Sequence, residues 1–303
     1  MVPAAASTVV VMRDRADTSR GGGLEVYLLR RAAGAAFLAD ACVFPGGRVD
    51  AALDAALAES LAGAMASLPV PSPARPGEYA LHLAAGLREL FEEAGLLLAD
   101  TSDDTDIALD ADTLPLSMLR HAVASGRTPL EQACTSLGGR LRPERLVPQS
   151  RWITPPGEAR RFDTWVFLAQ VPAGQTPSPD GGETSAGRWV APADALARAE
   201  AGEMILAPPT SRTLEHLLPF RSVVEALEAA RRVAPATYAP MPVRTPDGDC
   251  MVLPGDPLYP VEGPGAPLGV PVPGATRFQR IGGRWRSVDA VTIAPRFTTM
   301  SSP

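Results

Sequence analysis

Leu87-Arg88-Glu89-Leu90-Phe91-Glu92-Glu93-Ala94-Gly95-Leu96 places three carboxylates at i, i+3 and i+4. On a helix that spacing puts Glu89, Glu92 and Glu93 on one face, with neighbouring Cβ atoms roughly 5–6 Å apart. Leu83, Leu87, Leu90, Phe91 and Ala94 recur at the intervals of an amphipathic stripe packed on a core. Gly95 is suited to the left-handed residue that ends a helix. The stretch therefore predicts a short helix that buries one face and gathers negative charge on the other. Like charges so close repel by a few tenths of a kcal/mol per pair. A divalent cation reverses that cost, and oxygen-only ligands suit Mg²⁺ or Mn²⁺. The plain alternative for a charge run alone is a solvated helix face.

Upstream, Val43-Phe44-Pro45-Gly46-Gly47-Arg48-Val49-Asp50 is a tight loop whose glycines let the backbone approach a ligand closely. This loop and the segment from Arg88 to Leu96 together resemble the Nudix box, G-x5-E-x7-R-E-U-x-E-E-x-G-U with U aliphatic. The second half of that pattern is filled at every specified position. Two departures are visible. Inserted sequence separates Asp50 from Gly77, and the glutamate the pattern asks for eight residues before Arg88 is Ala80, with Glu78 nearby but off register. Both are familiar in the subgroup similar to mammalian Nudix 19, the coenzyme A diphosphatases. Further stretches resemble the same subgroup, namely Trp152-Ile153-Thr154-Pro155, the run from Arg160 to Leu168, and Ile205-Leu206-Ala207-Pro208-Pro209-Thr210.

The resemblance implies a Nudix-type α/β/α sandwich with a mixed sheet, and a metal site of Glu89, Glu92, Glu93 and the Gly46 carbonyl. It also implies that Arg88 orients the glutamates and that Glu89, or a glutamate on a later loop, takes the proton from water. Glu183 is the candidate on that loop. Arg suits bidentate phosphate contact, so Arg160 and Arg161 are candidates for binding the substrate's phosphates. A strand-end charge in solvent is their simpler explanation.

Outward from the box, residues 7–14 and 24–30 read as a strand hairpin about a Gly-rich turn. Residues 51–68, with Leu53, Leu57, Leu61 and Met65 at four-residue spacing, read as an inserted amphipathic helix, which prolines at 69, 71, 73 and 76 then break. That insert is expected to lie outside the metal site. Gly86 is expected on the carboxylate side of the helix, where a Cβ would crowd a ligand, and His82 is expected to face solvent. Helices are expected over 116–125, 129–137, 193–202, 211–220 and 223–233, with strands over 146–154, 161–171 and 188–190. Residues 1–233 form the expected domain, with 51–77 as the insertion. Residues 234–303, rich in Pro and Gly, are expected to be a β-rich extension packed on the domain or on a second subunit, so a homodimer is considered.

Composition narrows the class. The chain has 303 residues, 46% hydrophobic, and a net charge of −6, which disfavours a nucleic-acid or membrane-surface binder. Its 28 basic residues are all Arg. Cys42, Cys134 and Cys250 show no metal-binding spacing, as a reducing compartment predicts. With no signal peptide, long apolar run or terminal Ser-Lys-Leu, the expected location is cytoplasmic. The expected function is a metal-dependent hydrolase that splits the diphosphate of a nucleoside diphosphate derivative, coenzyme A or its acyl esters on the subgroup resemblance. A sensor that binds such a nucleotide without cleaving it, or a hydrolase of ADP-ribose or NADH, is the alternative.

Overall fold

The computed structural model describes residues 2–16, 23–34, 39–110, 113–246, 248–260 and 274–288. In chain order the first strands and helices are β1 (Ala4–Asp14), β2 (Leu24–Arg31), β3 (Ala41–Val43), β4 (Gly46–Arg48), α1 (Leu53–Ser60), α2 (Ala62–Met65) and α3 (Pro76–Ala94). They are followed by β5 (Ala99–Asp100), β6 (Leu109–Asp110), α4 (Leu114–Ala124), α5 (Leu130–Ser136), β7 (Arg140–Leu141), β8 (Val147–Ile153), β9 (Phe162–Gln170), β10 (Gln175–Thr176) and β11 (Thr184–Val190). Then come α6 (Pro192–Ala201), β12 (Ile205–Leu206), α7 (Pro208–Leu217), α8 (Val223–Arg232) and β13 (Ala236–Tyr238). Four strands close the order: β14 (Met241–Thr245), β15 (Gly248–Val252), β16 (Arg277–Ile281) and β17 (Arg284–Val288).

The expected mixed sheet is present, in the order β12-β3-β2-β1-β9-β8-β13, with β11 added beside β2 and β4 beside β1. β1 runs antiparallel to β2 and parallel to β9. Because side chains alternate along a strand, Val9 and Val11 enter one core layer and Val10 and Met12 the other. The first layer lies under α1, α3, α4 and α5, and the second under α6, α7 and α8. This is the three-layer arrangement. α3 starts with Pro76 at its first turn, where a missing N–H costs nothing, and ends at Gly95, with φ 68°. Leu83, Leu87, Leu90, Phe91 and Ala94 are all buried.

The sheet is split beside β1. Its C-terminal half pairs with β2 (Met12 opposite Val26) and its N-terminal half with β4 (Thr8 opposite Gly46). Helix α3 packs against β4, a short strand that pairs only with β1 among the described residues.

Residues 236–238, which the sequence assigns to the extension, form the edge strand of the central sheet next to β8. The four strands after them form a separate antiparallel sheet. Leu253 and Phe278 of that region belong to the second core layer. Among the described residues no helix is long and apolar enough to cross a membrane. The three cysteines are buried and unpaired.

Candidate active site

Arg88 is at the centre of the site. Its Nε donates to Asp54 Oδ1 at 2.7 Å and its Nη2 to Asp54 Oδ2 at 3.0 Å, a bidentate pair. Nη2 also reaches the Arg48 carbonyl at 3.0 Å, and Nη1 bonds Glu89 Oε1 at 2.9 Å and Glu92 Oε2 at 3.1 Å. Arg88 is thus a hub that ties α1 and β4 to the carboxylates of α3. Asp54 is fully buried. It supplies the brace that the box lacks at Ala80, and it comes from the insert. The expectation that residues 51–77 lie outside the site is corrected accordingly: one side chain of the insert is built into the site. Asp54 escaped the sequence analysis because it sits among Ala and Leu of an amphipathic stretch. The signal that could have found it was the missing glutamate, which leaves a buried Arg in want of a carboxylate.

Gly46 meets the helix directly. Val9 N–H bonds the Pro45 carbonyl at 2.8 Å and Val49 N–H bonds the Ala5 carbonyl at 2.9 Å. In an antiparallel ladder these positions alternate, so Gly46, opposite Thr8, turns its own N–H and C=O to the free edge. There its N–H donates to Glu93 Oε2 at 2.8 Å, and its carbonyl lies on the same edge. The position demands glycine: φ is +154°, and a Cβ would stand 2.3 Å from the Ser7 carbonyl oxygen. At Gly47 a Cβ would come within 2.6 Å of Glu89 Oε1. The two halves of the box are therefore joined in space across the insert.

The electrostatics favour a cation. Asp54, Glu89 and Glu92 share one guanidinium, Glu93 stands next to Glu89 with only a backbone N–H as partner, and none of the four side chains is well solvated. Burial, with Glu92 close by, raises the Glu89 carboxyl to about 7 against the pull of Arg88. Burial and then Glu89 raise Glu93 to about 8, with Glu183 and Asp180 adding to the effect and the Gly46 N–H opposing it. Glu92 is raised by burial, and its Oε1 is buried without a hydrogen-bond partner. An orphaned oxygen in an all-oxygen set with excess negative charge fits a hard divalent cation. Among the described residues no three acidic, His or Cys side chains already converge as a coordination sphere. Arg88 engages one oxygen of each of Glu89 and Glu92, and Glu92 Oε1 is left over.

The other predicted residues are distributed as follows. Glu183 stands on the loop before β11, its side chain 72% exposed and Oε2 4.0 Å from Arg31 Nη2. It is near enough for its charge to act on Glu93. Arg160 is exposed, and Arg161 Nε donates to the carbonyls of Thr154 and Pro155 at 3.0 and 3.1 Å. Thr8 is in register with Val166 and Ala4 with Phe162, so Arg161 and Arg160 are five and six residues along the chain from the Gly46 level, roughly 16–20 Å at the rise of a strand. The structure does not bring them to the carboxylates.

His82 is corrected from exposed to buried. Its Nδ1 is 2.9 Å from the Ala6 carbonyl and 3.2 Å from Ser7 Oγ, because this half of the helix face turns onto β1. Gly86 is likewise corrected. A Cβ there would meet Leu146 at 3.1 Å, then Val9 and Phe167, so the glycine serves helix-to-sheet packing and not ligand access.

The description "NUDT19 Nudix domain" belongs to the family model that matches residues 64–217. The acyl-coenzyme A diphosphatase NUDT19 of Gallus gallus is 32% identical over 283 residues, covering 78% of this chain and 73% of that protein. The protein of the same name from Xenopus laevis is 27% identical over 277 residues, covering 78% and 71%. Among solved structures, a NUDIX hydrolase from Alicyclobacillus acidocaldarius superposes with a TM-score of 0.62 at 28% identity, covering 75% of this chain and 96% of that one. With the glutamate helix, the glycine loop and the Arg88 hub in place, these similarities have one meaning: the chain belongs to the NUDT19 family of Nudix hydrolases and is a pyrophosphohydrolase.

Proposed function

We propose that this enzyme hydrolyses the diphosphate of coenzyme A or its acyl esters, using Mg²⁺ or Mn²⁺ held by Glu89, Glu92, Glu93 and the Gly46 carbonyl. The substrate class rests on the relatives named above, and the metal site on one observation. Three acidic side chains, Asp54, Glu89 and Glu92, are gathered, nearly buried, around a single Arg88, the equally buried Glu93 is held by the Gly46 N–H, and Glu92 Oε1 is left unpartnered. When bound, the ion neutralises diphosphate oxygens and acidifies a water molecule. The chain's own residues do the rest. Asp54 fixes Arg88, Arg88 holds Glu89 and Glu92 in register, and the Gly46 N–H holds Glu93. Glu89 and Glu183 are the two groups proposed to take the proton of the attacking water, and a carboxyl raised to about 7 is suited to that exchange near neutrality. Arg160 and Arg161 are retained as candidates for a phosphate far from the scissile bond, such as the 3′-phosphate of coenzyme A.

The test is turnover with Mg²⁺ or Mn²⁺ across coenzyme A, an acyl-coenzyme A, dephospho-coenzyme A, ADP-ribose and NADH. Preference for the first two is expected. Faster turnover of ADP-ribose or NADH overturns the substrate and leaves the diphosphatase. Tight nucleotide binding with no turnover under any metal supports the sensor alternative.

A further inference from the structure

Two side chains outside the carboxylate set tie the Glu183 loop to the end of the catalytic helix. Arg120 of α4 is only 7% exposed. Its Nη2 donates to the carbonyls of Glu92 and Ser178, each at 3.0 Å. Ser178 N–H in turn donates to the Ala94 carbonyl at 3.0 Å. The last carbonyls of a helix lack partners within it and carry the negative end of its dipole, so a buried cation is well placed there. Here the cation also clamps a second segment.

Asp180 then folds that segment. Its Oδ2 accepts the Glu183 N–H at 2.9 Å, and its Oδ1 accepts the Thr184 N–H at 2.9 Å and the Thr184 hydroxyl. Both oxygens are committed to the loop, so Asp180 is part of its scaffold and not a further ligand.

We infer that Arg120 and Asp180 are positioning residues for the hydrolysis. Arg120 staples residues 178–184 to the last turn of α3, and Asp180 fixes the turn that keeps Glu183 at the mouth beside Glu93. The inference rests on the proposed role of Glu183 in proton transfer or metal binding. On its β11 side Glu183 is held by the Ala32 N–H, which donates to its carbonyl at 3.0 Å; on the other side Arg120 and Asp180 hold the turn that carries it, and a displacement of about 1 Å from productive geometry costs up to about a hundredfold in rate.

The experiment uses the full chain and its Arg120→Met, Arg120→Lys, Asp180→Asn, Glu183→Gln and Arg120→Met/Glu183→Gln variants. Steady-state kinetics with Mn²⁺ are paired with hydrogen exchange of the Ser178, Glu183 and Thr184 amides. Arg120→Met and Asp180→Asn are expected to lower kcat about ten- to a hundredfold with a smaller change in KM, and to speed exchange at Glu183 and Thr184. Arg120→Lys is expected to restore part of kcat, and the double variant to be no slower than Glu183→Gln. The inference fails if the two losses multiply in the double variant, if loop exchange is unchanged, or if kcat is unchanged. Wild-type kcat in Glu183→Gln removes the role of Glu183 and the catalytic positioning with it. That outcome is told apart from a failed staple because loop exchange still responds to Arg120→Met. Should Arg120→Met fold poorly, Asp180→Asn and Arg120→Lys carry the same comparison.

Discussion

A guanidinium shared among carboxylates determines what single substitutions do. Asp54→Ala leaves Arg88 buried without its bidentate partner, and breaking a buried pair from one side costs about 3–5 kcal/mol. Loss of both stability and turnover is expected, measured by chemical denaturation and by kcat. Asp54→Ala with wild-type stability removes the brace assignment. Glu93→Gln acts differently. Turnover should fall by orders of magnitude, yet the metal-free protein should be no less stable, since the amide is neutral like the protonated carboxyl and never has to ionise inside a repulsive cluster. The Glu93 carboxyl is raised from 4.5 to about 8 in the fold. Between those values the native state binds more protons than the unfolded chain, so the stability of metal-free enzyme falls as pH rises from about 4.5 to about 8. Divalent metal binds the deprotonated native form and opposes the fall. A Tm series from pH 5 to pH 8, with chelator or with Mn²⁺, checks this: the two curves should diverge as pH rises, and in Glu93→Gln the chelator curve should be flatter. The carboxylates were legible from spacing because three of them share one helix. Asp54 was not, because its partner is 34 residues away and its neighbours look like any apolar helix.

At the scale of elements, the buried stripe of helix α3 and its end at Gly95 followed from the sequence. Its surroundings did not. Periodicity tells which face is distinct, but not that the face holding His82, Gly86 and Glu89 crosses from the core of the sheet to its open edge. The same face is therefore buried histidine at one end and metal-site carboxylate at the other. The β4 strand shows the reverse case. Three residues, two of them glycine, carry no strand signal, and their pairing with Ala6, Ser7 and Thr8 is a tertiary fact. A prediction belongs here. In Gly47→Ala the three atoms nearest the new Cβ all belong to the carboxylate end of Glu89, a flexible group that can move aside. kcat should drop at least tenfold with little change in Tm, whereas Gly46→Ala collides with backbone and should lower both. Equal, large Tm losses in the two variants would contradict this division.

At the scale of the molecule, chemistry and ballast lie on opposite faces of one sheet. The carboxylate helix belongs to the first core layer, while α6, α7 and α8 and the C-terminal strands pack on the second. The extension reads in sequence as Pro- and Gly-rich and β-rich, but short strands joined by turns leave too weak a pattern to place each of them. It is braced within itself and tied to α7. Arg277 donates to both oxygens of Asp256 at 3.0 and 2.8 Å, with side chains 2% and 0% exposed. Arg212 of α7, itself buried, reaches the Ala275 carbonyl and lies over the Phe278 ring. Asp256→Ala strands the Arg277 charge inside the protein and should cost about 3–5 kcal/mol, a fall in Tm of roughly 10 °C for a chain of this class. Because Asp256 lies in the extension beyond the second layer, kcat per folded molecule should stay within about twofold of wild type at a temperature where both are folded, the spread expected of independent sites. Active-site titration beside the rate assay separates the two quantities. A large fall in kcat at unchanged folded fraction would mean that the extension reaches the chemistry through the sheet, and the division of labour between its faces would have to be abandoned.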